Sequence, residues 1–158
     1  MLSEILQTSL VRSQMPGTSK KRVLEDIADI AHHHNPRISK LGCFKKLVAR
    51  EQLGSTALGD NVAIPHCRLE GISSIVGCFI TLDKGVDFEA PDDEDVDIIF
   101  ALLVPENEQD AHLDALAILA NIFSKPQARA ELREAKSDAH LFETLLRHAP
   151  RNWHELTL

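Results

Sequence analysis

His66 stands where an imidazole can act as a nucleophile. It follows the apolar run Val62-Ala63-Ile64 and then Pro65, which reads as a short buried strand ended by a residue with no N–H to give to a sheet ladder. Sheet pairing is expected to stop at Pro65 and to leave His66 held out on a rigid stub. An unperturbed imidazole has a pKa of about 6.5, so near neutral pH about half of the rings or more are uncharged, and an uncharged ring nitrogen is a nucleophile. The stretch Gly54-Ser55-Thr56-Ala57-Leu58-Gly59 supplies two hydroxyls and backbone N–H groups to an anion, and Arg50 and Arg68 flank the segment with fixed positive charge. Nucleophile, anion seat and cations together point to phosphoryl chemistry.

A second imidazole, His112, falls in the first turn of a helix for which Asp110 is a suitable N-cap. The helix dipole and free N–H groups there favour anions and an uncharged ring, which can still donate one hydrogen bond to a phosphoryl oxygen. An ordinary first-turn histidine is the alternative reading. Arg50 can likewise serve an anion or cap the C-terminal end of its own helix, and the two roles are compatible. Thr56 and Ser55 either hydrogen-bond a phosphoryl group or satisfy nearby backbone.

The elements that position these residues follow from periodicity. Ser19 caps a helix from Lys20 to about His33 with Val23, Leu24, Ile27, Ile30 and Ala31 inward, and Asn35-Pro36 ends it. A second helix runs from about Lys40 to Leu53 with Leu41, Phe44, Leu47 and Val48 inward. Ile75 to Leu82 and Asp97 to Val104 have strand length, and a brief strand is placed near Val86 and Phe88. The Asp110 helix continues to about Phe123, with Leu113, Leu116, Ala117, Ala120 and Phe123 as its stripe. Pro126 opens a short helix reaching Ala135, and Ser137 caps a last one through Leu146. Helix, helix, strands, helix, helix, helix implies an α/β sandwich.

The chain has 158 residues, 44% hydrophobic and 26% charged, with a net charge of −7. That suits a single domain with a real core, and it argues against a nucleic-acid partner, whose grip comes from clustered Lys and Arg. The longest apolar run, Ile98 to Val104, falls far short of the ~20 residues that span a bilayer. The N-terminus lacks signal-peptide regions, so no membrane insertion and a cytoplasmic location are expected. Cys43, Cys67 and Cys78 show no C-x-x-C spacing and read as reduced thiols. His32, His33 and His34 are helical neighbours pointing about 100° apart, which cannot converge on one ion, and the acidic run from Glu89 to Asp95 lacks calcium-loop spacing. Neither a metal nor a cofactor is implied. The acidic run reads as a solvated turn that can steer a basic protein. No role is assigned to the tail around Trp153.

Glu51, Leu58, Gly59, Val62, Ala63, Ile64, Pro65, His66 and Cys67 together resemble the phosphorylation-site signature of the mannitol/fructose-type enzyme IIA domains of the bacterial phosphotransferase system. The signature is an acidic or amide residue, a six-residue gap, an aliphatic and a small residue, two free positions, then aliphatic-Ala-aliphatic-Pro-His-small. With S-K-K-R near its start and F-A-L-L-V-P after the site, the chain looks most like the nitrogen-regulatory enzyme IIA, and residues 1–158 read as a single type-2 domain of that kind. The resemblance implies a mixed sheet of about five strands with helices on both faces. It implies His66 as the phosphorylated residue, through the ring nitrogen farther from the backbone, His112 as an auxiliary active-site histidine, and Arg50 as a charged neighbour of His66. The phosphodonor it implies is an HPr-like phosphocarrier, and the further partners are regulatory target proteins. A sugar-specific enzyme IIA serving a transporter IIB domain is the alternative. Nitrogen-regulatory members often carry glycine where Ala57 and Asn61 stand, so here the loop is expected to be stiffer.

Overall fold

A computed structural model describes residues 5–108 and 110–150; the tail around Trp153 lies outside the described residues. A short 3-10 turn, Thr8–Leu10, leads into β1 (Val11–Met15), followed by α1 (Lys20–His34), α2 (Lys40–Gln52), β2 (Ala57–Gly59), β3 (Val62–Ala63), β4 (His66–Leu69), β5 (Val76–Val86), β6 (Val96–Pro105), α3 (Ala111–Phe123), α4 (Pro126–Glu134) and α5 (Asp138–His148). The expected helices form, and Ser19, Ser39 and Ser137 each accept a hydrogen bond from a first-turn N–H of their helices. Asp110 takes the N-cap position, but its carboxylate makes no cap hydrogen bond.

The six strands form one open mixed sheet, ordered β1-β5-β6-β3-β2, with β4 also on β6. Among the described residues, only β5–β6 and β2–β3 pair antiparallel. Val76 to Leu82 on β5 and Ile98 to Pro105 on β6 are buried without alternation. Successive strand residues face opposite sides, so both faces of these central strands are covered by helices. On one face Phe123 of α3 reaches Phe79, whose ring also lies 5.6 Å from that of Phe100.

The sheet exceeds the anticipated strand count because two strands carry little apolar signal. In β1 only Val11 is buried, Arg12, Ser13 and Gln14 are polar, and Gln14 enters the left-handed region where the register to β5 shifts. Ala57–Gly59, read as loop, pairs with β3 through a tight turn at Asp60 and Asn61, both at positive φ, and Asp92 accepts from the Asp60 N–H at 3.0 Å.

The expectation that pairing stops at Pro65 is corrected. Val62 and Ala63 pair with Ile98 and Ile99, and His66 to Leu69 pair with Leu102 to Pro105 in the same register. A proline forfeits only its N–H, and the Pro65 carbonyl still accepts from Leu102 N–H at 2.9 Å. His66 is therefore seated in the sheet, as the first residue of β4.

Two helix faces match expectation only in part. On α2 the buried residues are Cys43, Leu47 and Glu51, and Phe44 and Val48 pack partly buried against the core as expected, whereas Leu41 is exposed. On α3 they are Ala115, Leu119, Ile122 and Phe123, leaving Leu113 and Ala117 exposed. In α3 apolar residues occur on every side, so spacing cannot select the face that meets the sheet.

Candidate active site

His66 is half-buried at the start of β4. Its Nδ1 lies 3.0 Å from the Ile64 carbonyl. A carbonyl can only accept, so Nδ1 carries the proton and the lone pair is left on Nε2. From α2, Arg50 donates Nε–H to that Nε2 at 3.3 Å and Nη1–H to the Gly54 carbonyl at 2.8 Å. One guanidinium thus both faces the imidazole and binds the carbonyl just past the helix end. Burial pushes the His66 pKa below 6.5, the charges of Arg50 and His112 push it further, and the Ile64 hydrogen bond and Glu51 oppose them. The outcome is a ring kept neutral, with its nucleophilic nitrogen facing a fixed cation.

Two clefts meet at His66. Thr56, Leu58, Ile64 and Leu116 line one with Arg50; Lys46, Arg68 and His112 line the other with Arg50. The structure thus brings His66, Arg50, His112 and Thr56 to one place. His112 has a buried Nδ1 with no hydrogen-bond partner among the described residues, an unspent polar group of the kind that functional sites carry. Arg68 lies in the same cleft, and its guanidinium is engaged by the Glu106 and Glu108 carbonyls.

The hydroxyls of the anion seat are already committed. Ser55 Oγ–H donates to the Phe88 carbonyl and accepts from Ala57 N–H, and Thr56 Oγ1–H donates to Glu51 Oε1. Glu51 also accepts Thr56 N–H through Oε2, at 3.2 Å, and pairs there with Lys20 Nζ at 2.8 Å. Sequence reading gave Glu51 no task beyond opening the signature and gave Lys20 none. A glutamate on the buried face of an amphipathic helix is the one local sign that a cation must come to it. Cys67 packs against Cys43, and that contact together with burial raises its thiol pKa, so the cysteine beside His66 is an inert core thiol. His32, His33 and His34 turn to three different partners, the Ile38 carbonyl, Asp29 and Ser9, and no group of metal-ligating side chains occurs among the described residues.

Fold and site define an α/β protein that offers one neutral histidine nitrogen beside a guanidinium and a second imidazole. The chain belongs to the family described as "Phosphoenolpyruvate-dependent sugar phosphotransferase system, EIIA 2", which it matches over residues 4–148. It is 41% identical over 145 residues to the nitrogen regulatory protein of Pseudomonas aeruginosa, covering 92% of this chain and 94% of that one. The crystal structure of nitrogen regulatory protein IIA-Ntr from Neisseria meningitidis superposes with a TM-score of 0.84 at 39% identity, covering 91% of this chain and 98% of that one. Enzyme IIAMTL of Escherichia coli, solved as a complex with phosphorylated enzyme IIBMTL, shares the fold at 17% identity and a TM-score of 0.72, over 89% of this chain and 96% of that one.

Proposed function

We propose that this chain is a phosphoryl-accepting regulatory protein of the nitrogen-related branch of the phosphotransferase system, phosphorylated on His66 Nε2 by an HPr-like phosphocarrier in the cytoplasm. The observation that carries the reading is the neutral His66 ring, its proton held by the Ile64 carbonyl and its lone pair turned toward Arg50. His66 Nε2 attacks the phosphorus of the carrier's phosphohistidine in line. The new N–P bond forms as the carrier's N–P bond breaks, and the carrier's imidazole leaves. Positive charge develops on the His66 ring, and the Ile64 carbonyl stabilises it through Nδ1–H. Arg50 Nε–H, released from the nitrogen that has become bonded, turns to a phosphoryl oxygen. His112 supplies a further donor, and Thr56 can do so only by giving up its bond to Glu51. Preorganised donors of this kind carry most of the catalysis when little covalent chemistry falls to the protein.

The face around His66 suits a protein partner. Of the four large hydrophobic side chains exposed among the described residues, Leu53 borders one His66 cleft, Leu58 the other, and Leu113 follows His112. A phosphoryl group places about −1.5 to −2 charges at the centre of that face. A regulatory target that covers the unmodified face must bury this charge or pair it, so binding is expected to depend strongly on phosphorylation state. Pull-downs using the phosphorylated chain and His66→Ala as baits test this. Different partner sets or affinities are expected. Identical ones, with rapid phosphate transfer to a sugar-transporter IIB domain, would replace the regulatory reading by the transport one.

A further inference from the structure

The hydrogen bond that ends at His66 Nδ1 can be followed back, contact by contact, to the N-terminus of α1. Lys20, the first residue of that helix, has a side chain only 17% exposed. Its Nζ lies 2.8 Å from Glu51 Oε2, 3.7 Å from Glu89 Oε1 and 5.0 Å from the centroid of the Phe88 ring. The Glu51 side chain is 5% exposed, and a carboxylate buried that deeply must be matched by a cation and hydrogen bonds. Lys20 supplies the cation; Thr56 N–H and Oγ1–H supply the hydrogen bonds.

From Thr56 the path continues to the nucleophile. The Thr56 carbonyl accepts Ile64 N–H at 3.1 Å, and the Ile64 carbonyl accepts His66 Nδ1–H at 3.0 Å. A side chain on α1 thereby reaches the atom that sets the tautomer of His66, through one ion pair and three hydrogen-bonded steps. Arg50 adjoins Glu51 on α2, so the same clamp holds the helix end from which the guanidinium projects. A buried ion pair is weak evidence for stabilisation, since desolvation offsets much of the attraction. Its effect here is geometric: it fixes the 55–56 segment between α1, α2 and the Phe88 carbonyl.

We propose that Lys20 is a positioning residue for phosphoryl transfer, acting through Glu51, Thr56 and the Ile64 carbonyl to hold the His66 ring in its Nδ1-protonated orientation. This rests on His66 being the phosphoryl acceptor. The test compares the full chain with Lys20→Met and Lys20→Arg by single-turnover phosphorylation from a phosphorylated HPr-like carrier and by 15N NMR of the His66 ring. In Lys20→Met the maximal rate is expected to fall roughly ten- to a hundredfold, with the carrier concentration at half-maximal rate unchanged. The two ring-nitrogen signals should move toward each other as tautomers mix. Lys20→Arg, which keeps the charge, should recover most of the rate and the wild-type ring signals.

Should Lys20→Met fail to fold, Lys20→Met/Glu51→Gln takes its place, because it leaves no unpaired buried charge, and the same slow transfer and mixed ring signals are expected. Wild-type rate and ring signals in whichever of these variants folds would overturn the proposal, as would a Lys20→Arg variant as slow and as mixed as Lys20→Met. If the wild-type chain accepted no phosphate, the reading of His66 as acceptor would fail, while the ring spectra would still decide whether Lys20 orients the imidazole.

Discussion

As the proposed phosphoryl acceptor, His66 combines two demands that compete in water: it must be exposed enough to meet a carrier, yet stay unprotonated. Burial and the neighbouring Arg50 and His112 charges resolve them by moving its pKa below 6.5. An NMR titration should find the ring midpoint below that value, and Arg50→Ala should move it upward, since removing a cation relieves the cost of ring protonation. A midpoint unchanged by Arg50→Ala would detach the guanidinium from the ring. The unfolded chain takes up this proton near pH 6.5, whereas the folded chain takes it up only at lower pH. Stability should therefore fall as pH drops from 6.5 through the folded-state pKa, with no further loss from this group below it. His66→Gln should flatten that part of the profile in denaturant unfolding. Arg50→Ala should also slow transfer about a hundredfold, the usual effect of removing one charge-stabilising donor worth ~3 kcal/mol, and wild-type transfer in a folded variant would remove its role. His66 was legible as a candidate because an imidazole after an apolar strand and a proline advertises its chemistry. Arg50 and His112 were legible as its neighbours through the resemblance to the family, since their spacing alone left a helix cap and an ordinary first-turn histidine open. Lys20 and Glu51 were not. Their pairing spans α1 and α2, and only the packed structure shows that the carboxylate faces inward.

At the level of elements, the sequence revealed where helices and central strands lie better than it revealed which faces they bury. The α1 stripe of Val23, Leu24, Ile27, Ile30 and Ala31 was readable because polar residues fill the opposite side. In α3 apolar residues surround the helix, and the sheet selects Ala115, Leu119, Ile122 and Phe123. Leu116 is left lining a His66 cleft, and Leu113, next to His112 in the chain, is exposed. Leu119→Ala is expected to cost about 2–5 kcal/mol in denaturant unfolding, and Leu113→Ala less than about 0.5 kcal/mol. Leu113→Ala should instead weaken carrier binding. The reverse order of stability losses would mean that α3 packs by the other face. The strand around Pro65 shows a related limit. A proline's missing N–H is visible in sequence, but its carbonyl's continued pairing with Leu102 depends on β6 lying alongside.

Across the whole molecule, the chain carries a net charge of −7 and yet gathers Lys46, Arg50 and Arg68 around the two histidines. Helices on both faces of the sheet bury β5 and β6, and the edge of β6 is left to carry β4 with His66 at its start. The fold thus brings the Nε2 of one imidazole to a cationic, leucine-bordered surface, and the proposed function rests on that nitrogen receiving the phosphoryl group. The most direct measurement is incubation of the wild type and His66→Ala with a phosphorylated HPr-like carrier, followed by phosphopeptide mapping and 15N–31P NMR under alkaline conditions that preserve phosphohistidine. A single phosphoryl group on Nε2 of His66, and no labelling of His66→Ala, is predicted. Equal labelling of His66→Ala at another histidine, or a phosphoryl group on Nδ1, would contradict the account.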